Sequence, residues 1–465
     1  MDSPLTRRHF LAQAAAGVAG LASLPAWTNA APAASSPQPR PNIIFIMADD
    51  LGYGDLGCYG QPRIQTPNID RLAQEGTRFT QCYAGSTVCA PSRCCLMTGM
   101  HNGHGRLRDN IPHGIFLQPD DLTVAEVLKQ AGYRTGAIGK WSLGNPGSWG
   151  VANYQGFDSF YGHLNQDQAH FYYPDYLWED DKVVLLDGNR GGKRREYTHD
   201  LFTDKALAFV REHQQHPFFL YLAYTIPHFS DYGGDTPESQ IVPSDEPYTD
   251  ESWPQVEKNY AAMATRMDRD VGRLMDLLRE LALEENTLVC FTSDNGPCDS
   301  QLHDPEFFDS NAPFRGVKRD LYEGGIRVPM IARWPGHVPA GRVSEQVWAF
   351  WDVLPTFAEL AGLPVPATID GISMAPALLG REQTKQHDYL YWDYGHVRGN
   401  FAQALRTGDW KGVRNGPKAK LELYNLAQDP AESHDLAEQH PDVVARIERL
   451  IHDAYTPSLD YPIKD

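Results

Sequence analysis

A chain of 465 residues, 42% hydrophobic and 22% charged, is long enough to bury a large core and to build one large domain with a smaller companion. Its formal net charge of −19 argues against a nucleic-acid binder, because phosphate backbones demand a basic face, so an anionic substrate must meet locally placed cations. The seven cysteines lack the paired spacing of a zinc site; Cys58, Cys82, Cys290 and Cys298 could pair in an oxidising compartment, in a pattern the sequence leaves open.

Residues 1–40 form a leader and linker. Thr6-Arg7-Arg8-His9-Phe10-Leu11 precedes an Ala/Gly-rich apolar run to about Leu24 and small residues around Ala30, the pattern of a twin-arginine export signal. The run is too short and too mildly hydrophobic for a stable membrane anchor. The leader therefore predicts export of the folded protein by the twin-arginine translocase, to the periplasm or beyond.

From Asn42 to Met47 the chain is continuously apolar, as in a strand buried on both faces, and it ends in Asp49-Asp50. Two adjacent carboxylates repel unless a cation sits between them, and hard oxygen ligands suit calcium or magnesium. A helix is expected over Pro67 to Ala73. Next comes Cys89-Ala90-Pro91-Ser92-Arg93: with proline opening a helix, Cys89 lies at the helix N-terminus and Arg93 four residues on, one face that attracts an anion. The vicinal pair Cys94-Cys95 falls in the core of that helix.

Thr123 to Glu126 reads as a capping box, and its helix stops at Gly132. The strand Thr135 to Gly139 delivers Lys140. The loop from Gly156 to Trp178 mixes aromatic rings with Asn165, Gln166 and His170, the mixture with which proteins hold sugars, although such rings in a long loop as often pack against the core. Phe218 to Ala223 leads to Pro227-His228, a long helix with methionines on its core face runs from about Asn259 to Leu283, and the strand Thr287 to Thr292 delivers Asp294-Asn295. In open parallel sheets ligands collect at the carboxyl ends of strands, so these four strand ends are expected to converge. Beyond Gly380, short strands over Asp388 to Trp392, Ala402 to Arg406, Trp410 to Arg414 and Leu421 to Asn425 precede a helix near Pro441 to Ala454. The expected fold is α/β: a large mixed, mostly parallel sheet sandwiched by helices over residues 41–380, with a smaller antiparallel sheet plus helix over 381–465.

Cys89-x-Pro91-Ser92-Arg93, with Thr98-Gly99 behind it, resembles the signature of the type I sulfatases of the alkaline phosphatase superfamily. That resemblance implies that a formylglycine-generating or sulfatase-maturating enzyme oxidises Cys89 to Cα-formylglycine, whose hydrate attacks sulfur and then expels sulfate by re-forming the carbonyl. It implies one Ca2+ on Asp49, Asp50, Asp294 and Asn295 with the modified Cys89, Arg93 holding the formylglycine, and Lys140 and Lys318 on the sulfate. Lys318 stands in Phe314-Arg315-Gly316-Val317-Lys318-Arg319. His228 is implied as the acid for the leaving oxygen.

One departure stands out. Relatives read Gly-Lys-x-His where this chain has Gly139-Lys140-Trp141-Ser142. Either Ser142 orders a water in place of the histidine, or His104, His113 or His170 enters from a loop, with His170 preferred. The aromatic loop resembles one in bacterial sulfatases acting on 4-sulfated galactose or N-acetylgalactosamine, which implies a carbohydrate substrate with His104, Gln166 and His170 near it. Two rivals remain: a phosphonate or phosphate-diester hydrolase of the same superfamily, and a glycan-binding pseudoenzyme.

Overall fold

The computed structural model describes residues 40–111, 114–231, 236, 239–299 and 303–464; the leader, and with it the export signal, lies outside them. In chain order the first half contains β1 (Asn42–Asp49), α1 (Pro67–Gln74), β2 (Thr77–Tyr83), α2 (Cys89–Thr98), α3 (Val124–Gln130), β3 (Arg134–Lys140), β4 (Ser159–His163), β5 (Tyr176–Glu179), β6 (Lys182–Leu185) and α4 (Thr198–His213). The second half contains β7 (Phe218–Pro227), α5 (Gln255–Glu280), β8 (Thr287–Ser293), α6 (Glu323–Ile326), β9 (Arg327–Arg333), β10 (Arg342–Ser344), β11 (Trp348–Ala349), α7 (Val353–Leu360) and α8 (Ala375–Leu378). It closes with β12 (Leu390–Tyr394), β13 (Ala402–Thr407), β14 (Trp410–Asn415), β15 (Glu422–Asn425) and α9 (Pro441–Ala454).

The apolar run of β1 takes the centre of an eleven-stranded sheet of order β10-β2-β9-β8-β1-β7-β3-β4-β5-β6, with β11 also on β2. Its neighbours β7 and β8 run parallel to it, so β1, β7 and β8 end on the same edge, and β3, parallel to β7, ends there too. Strand alternation then decides which residue faces which layer. Ile43, Phe45 and Met47 enter a core with α2, α3 and α7, whereas Ile44, Ile46 and Ala48 enter a second core with α1, α4 and α5. A strand apolar on both faces thus demands helices on both sides. Met263 and Met267 of α5 are buried in the second core, as expected, and Met275 joins them.

The sheet is mixed. Six of its strand pairings are parallel and four antiparallel, because β9 inserts antiparallel between β8 and β2 and the β4-β5-β6 meander extends the other edge. The second sheet, β12-β13-β14-β15, is wholly antiparallel. Tyr391, Leu405 and Leu423 face Ile447 and Ile451 of α9, while Leu390, Trp392 and Tyr394 face Tyr83, Cys95 and Trp351 of the larger assembly. Trp392 Nε1 donates to the Ala84 carbonyl at 2.9 Å, tying the small sheet to the segment before Cys89. α5 starts earlier and ends sooner than its apolar spacing suggests: Ala282, at φ 54°, turns the chain out of helix before Leu283. None of the seven cysteines is in a disulfide, so the four that could have paired do not; Cys94 and Cys95 are buried on α2. No helix among the described residues is long and apolar enough to cross a membrane.

Candidate active site

Each site residue leaves an element that aims it at the carboxyl edge of the sheet. Asp49 ends β1, and Asp50 follows at φ 62°, a left-handed turn after which its carboxylate meets Asn295 and Lys318. Lys140 ends β3, and the Gly139 before it, at φ 103°, must be glycine, because a Cβ there would lie 1.9 Å from the Ala223 carbonyl oxygen of β7. Asp294 and Asn295 follow β8, and His228 follows β7.

Cys89 is the first residue of α2, after an extended Val88. The motif serine explains how that helix is docked: Ser92 Oγ donates to the Asp294 carbonyl at 2.5 Å and accepts from Gly85 N at 3.0 Å, so it bolts α2 to the end of β8. Asn110 Oδ1 accepts from Ala90 N at 3.1 Å and holds the helix start from the other side.

The buried side chains form two matching halves. Lys140 Nζ donates to Asp49 Oδ2 at 2.7 Å and lies 2.9 Å from His170 Nε2. Lys318 Nζ donates to Asp50 Oδ2 at 2.7 Å and lies 3.0 Å from His228 Nε2. The two imidazoles stack, centroids 3.4 Å apart and 12° from parallel. Between the halves Cys89 Sγ sits 3.4 Å from Asp49 Oδ1 and 3.5 Å from Lys318 Nζ. Arg93 grips Asp294 Oδ2 through Nε and Nη2 at 3.0 and 2.7 Å and the Lys140 carbonyl through Nη1 at 2.8 Å. Asn295 Nδ2 donates to Asp50 Oδ1 at 2.7 Å, and Asp50 N donates to Asp294 Oδ1 at 3.2 Å.

Burial without compensation would neutralise these groups; here each charge has an opposite. Burial works to raise the Asp49 carboxyl, but Lys140 and its other cationic neighbours hold it well below the ordinary range. Asp294 is pushed the other way, to about 6, by burial and by the Asp49 charge. Burial and Asp49 raise the Cys89 thiol to about 12. Burial, then His170 and Lys318, drive His228 well below the ordinary imidazole value, and its Nδ1 faces the Phe229 carbonyl at 2.6 Å, leaving Nε2 as the acceptor.

The sequence-predicted set comes together with two exceptions. Gln166, His170, His228 and Lys318 line one cavity of about 140 Å³ above the cluster. His104 does not join them: it pairs with Asp370 at 2.9 Å and stacks on His101, in a separate cluster. His113 lies outside the described residues. So of the described histidines proposed to replace the one missing at Ser142, His170 is the one at Lys140. The aromatic loop also needs correction. Phe157, Phe160 and Tyr172 are buried packing residues: Phe160 stands on β4, not in a loop, and joins Phe157 in the first core, while Tyr172 packs in the second and bonds the Thr225 carbonyl at 2.9 Å.

Residues the sequence reading missed also appear. Asp231 Oδ2 meets His170 Nδ1 at 2.7 Å, Tyr221 Oη approaches Arg93 Nη1 at 3.5 Å, and Arg319 and Arg398 line the cavity mouth. Asp231 stands three residues beyond His228 in the same strand-end loop, a signal that could have found it. Arg398 sits in the turn after β12 and has no local signal.

A cysteine at a helix start, three carboxylates and an amide at one strand edge, and three buried cations define a hydrolase of anionic esters. Comparison with known proteins makes the class specific. A family model described as "Sulfatase" matches residues 41–363, and one described as "N-sulphoglucosamine sulphohydrolase, C-terminal" matches residues 316–455. The chain belongs to the sulfatase family and is a sulfuric ester hydrolase.

It is 32% identical over 473 residues to human N-acetylgalactosamine-6-sulfatase, covering 90% of this chain and 86% of that one. With N-acetylgalactosamine-6-O-sulfatase of Bacteroides thetaiotaomicron it shares 29% identity over 90% of this chain and 93% of the relative. Among solved structures, Ps i-CgsB in complex with k-i-k-neocarrahexaose superposes with a TM-score of 0.79 at 31% identity, over 92% of this chain and 95% of that one. The fold is alkaline-phosphatase-like.

Proposed function

We propose that this chain hydrolyses a sulfate ester on a galactose-type sugar, with Cys89 converted to Cα-formylglycine and one Ca2+ held by Asp49, Asp50, Asp294 and Asn295. The observation that carries the reading is the burial of Asp49 and Asp50 beside Cys89, with Asp294 and Asn295 bonded to Asp50 and with Lys140 and Lys318 on the two carboxylates. The donors fit the ion: Asn295 Oδ1 is buried without a hydrogen-bond partner, a hard oxygen of the kind calcium takes. Charge fits as well. Asp49, Asp50 and Asp294 offset Arg93, Lys140 and Lys318, so a divalent cation leaves a net positive site for an anionic ester in a chain otherwise strongly acidic.

When bound, the ion supplies charge neutralisation for the sulfate and favours an ionised hydroxyl, and the hydrated formyl group supplies that hydroxyl. The chain's own residues do the rest. Lys140 and Lys318 present ammonium groups to sulfate oxygens, and Arg93 keeps Asp294 and the end of β3 in register. His228 Nε2, at the cavity, can take a proton and return it to the leaving sugar oxygen. His170, backed by Asp231, places a second imidazole beside Lys140 and so fills the role left open by Ser142.

The reading also calls for a maturating enzyme acting on Cys89 before export, and for passage through the twin-arginine translocase to the periplasm; Arg7-Arg8 and the apolar run behind them support this. On sulfate position two readings divide. The loop around Gln166 and His170 favours a 4-sulfate, while the names of the N-acetylgalactosamine-6-sulfatase relatives favour a 6-sulfate. Sulfate release from 4- and 6-sulfated galactose and N-acetylgalactosamine decides between them, with the mass of the peptide containing residue 89 measured on the same protein. Release with an unmodified cysteine refutes the nucleophile, and silence across the panel with residue 89 modified refutes the sugar.

A further inference from the structure

Two cavities open side by side at the carboxyl edge of the sheet. The catalytic one has a cationic excess: Lys318, Arg319 and Arg398 stand with two histidines against Asp167 and Asp231. Its neighbour shares Asn110, Gln166 and Asp167 with it and continues to Asp109, Ser142 and Asn145. Among the described residues the neighbour's lining has no lysine, arginine or histidine.

Three polar atoms in that lining are buried and unpartnered: Asp109 Oδ2, Ser142 Oγ and Gln166 Oε1. Asp109 and Ser142 are only 2% and 7% exposed. A buried polar atom left unsatisfied is costly, so three in one lining are groups waiting for a partner from outside the chain. Two of the three can only accept, and the third both donates and accepts; the lining therefore asks for O–H donors, and although Asp109 pairs with Arg398 at 3.6 Å, no cation of its own lining is there to hold a sulfate. Ser142, at φ 65°, follows Lys140 by two residues, so this cavity is built on the same strand end as the catalytic lysine.

We infer that this second cavity is a sugar subsite that takes the hydroxyls of an unsulfated sugar next to the sulfated one, so the preferred substrate is an oligosaccharide of at least two sugars. The inference rests on the proposed sulfatase reading and adds to it which neighbour the reacting sugar carries. At about 40 Å³, against about 140 Å³ for the catalytic cavity, the subsite admits hydroxyls and a ring edge, not a whole enclosed ring. Each net hydrogen bond is worth about 1 kcal/mol, so two of them amount to roughly a tenfold gain or more in kcat/KM.

The test measures sulfate release from 4- and 6-sulfated galactose and N-acetylgalactosamine, each alone, joined to one unsulfated galactose at either end, or joined to one sulfated galactose. The expected result is about a tenfold higher kcat/KM for a disaccharide with an unsulfated neighbour than for either the single sugar or the disulfated pair. Ser142→His, a residue type that tolerates positive φ, fills the subsite and should cut that ratio to about threefold or less. Asn145→Ala should lower the same ratio, and the comparison on the unaltered protein is decisive even where neither variant folds. Equal rates on single sugar and disaccharide, or preference for the sulfated neighbour, would overturn the subsite and leave the sulfatase reading intact. No release from any of them, with residue 89 modified, would overturn the galactose-type substrate of the proposed function instead.

Discussion

Asp231→Asn tests how His170 is held. The Asp231 carboxylate lies 2.7 Å from His170 Nδ1, and burial, opposed above all by that hydrogen bond, leaves its pKa below the ordinary range. A hydrogen bond to a charged group is worth about 1.5–3 kcal/mol, but the Asp231 side chain is 46% exposed, so solvent screening reduces this to about 1–1.5 kcal/mol. At about 1.4 kcal/mol per factor of ten, Asp231→Asn should lower kcat/KM for sulfate release roughly 5- to 10-fold. The assay is a double-mutant cycle with His170→Ala. If Asp231 acts by fixing the imidazole whose Nε2 meets Lys140, the Asn substitution should have little further effect once His170 is alanine. Full, additive loss in the His170→Ala background would refute the reasoning and make Asp231, which also lines the cavity, a direct substrate contact.

Three further outcomes are expected. Lys411 Nζ lies 2.9 Å from both Glu323 Oε1 and Glu432 Oε1 in full burial, so Lys411→Met should cost about 3–5 kcal/mol by leaving two carboxylates short of a cation, read as a lower urea midpoint. Burial raises Glu432 from 4.5 to about 7, with Glu323 pushing the same way and Lys411 opposing. A carboxyl raised in the folded state favours folding below its unfolded value and loses that contribution as pH rises through about 7, so Glu432→Gln should flatten the fall in melting temperature between about pH 5 and 8. Asn295→Ala removes one oxygen donor, and the rise in melting temperature on adding Ca2+ should need about tenfold more ion; an unchanged calcium titration would take Asn295 out of the metal set.

How much of this was legible in the sequence varied by residue, for physical reasons. Asp49, Asp50, Asp294 and Asn295 were readable because each ends an apolar strand, and parallel strands of one sheet end together. Lys140 followed from the same rule. Lys318 did not: it precedes β9, which runs antiparallel, and only the local motif marked it. His104 and His170 could not be separated by sequence, since each sits in a loop whose path is set by distant contacts; Asp370 holds one and Asp231 the other. The aromatic segment could be read either way, because ring-rich stretches look alike whether they face core or sugar; Phe157 and, on β4, Phe160 face the core. β9 lacks period-two patterning because it is buried throughout, whereas β2 alternates only as far as Thr80, where its pairing with β9 shifts register between Phe79 and Cys82.

The most direct test of the central claim is sulfate release compared with phosphate-diester hydrolysis by protein whose residue 89 is modified, against a Cys89→Ala control. The account predicts a large preference for the sulfate ester, abolished by Cys89→Ala with the melting temperature preserved. Sulfate release that survives Cys89→Ala, or a preference for the phosphate diester, would contradict it.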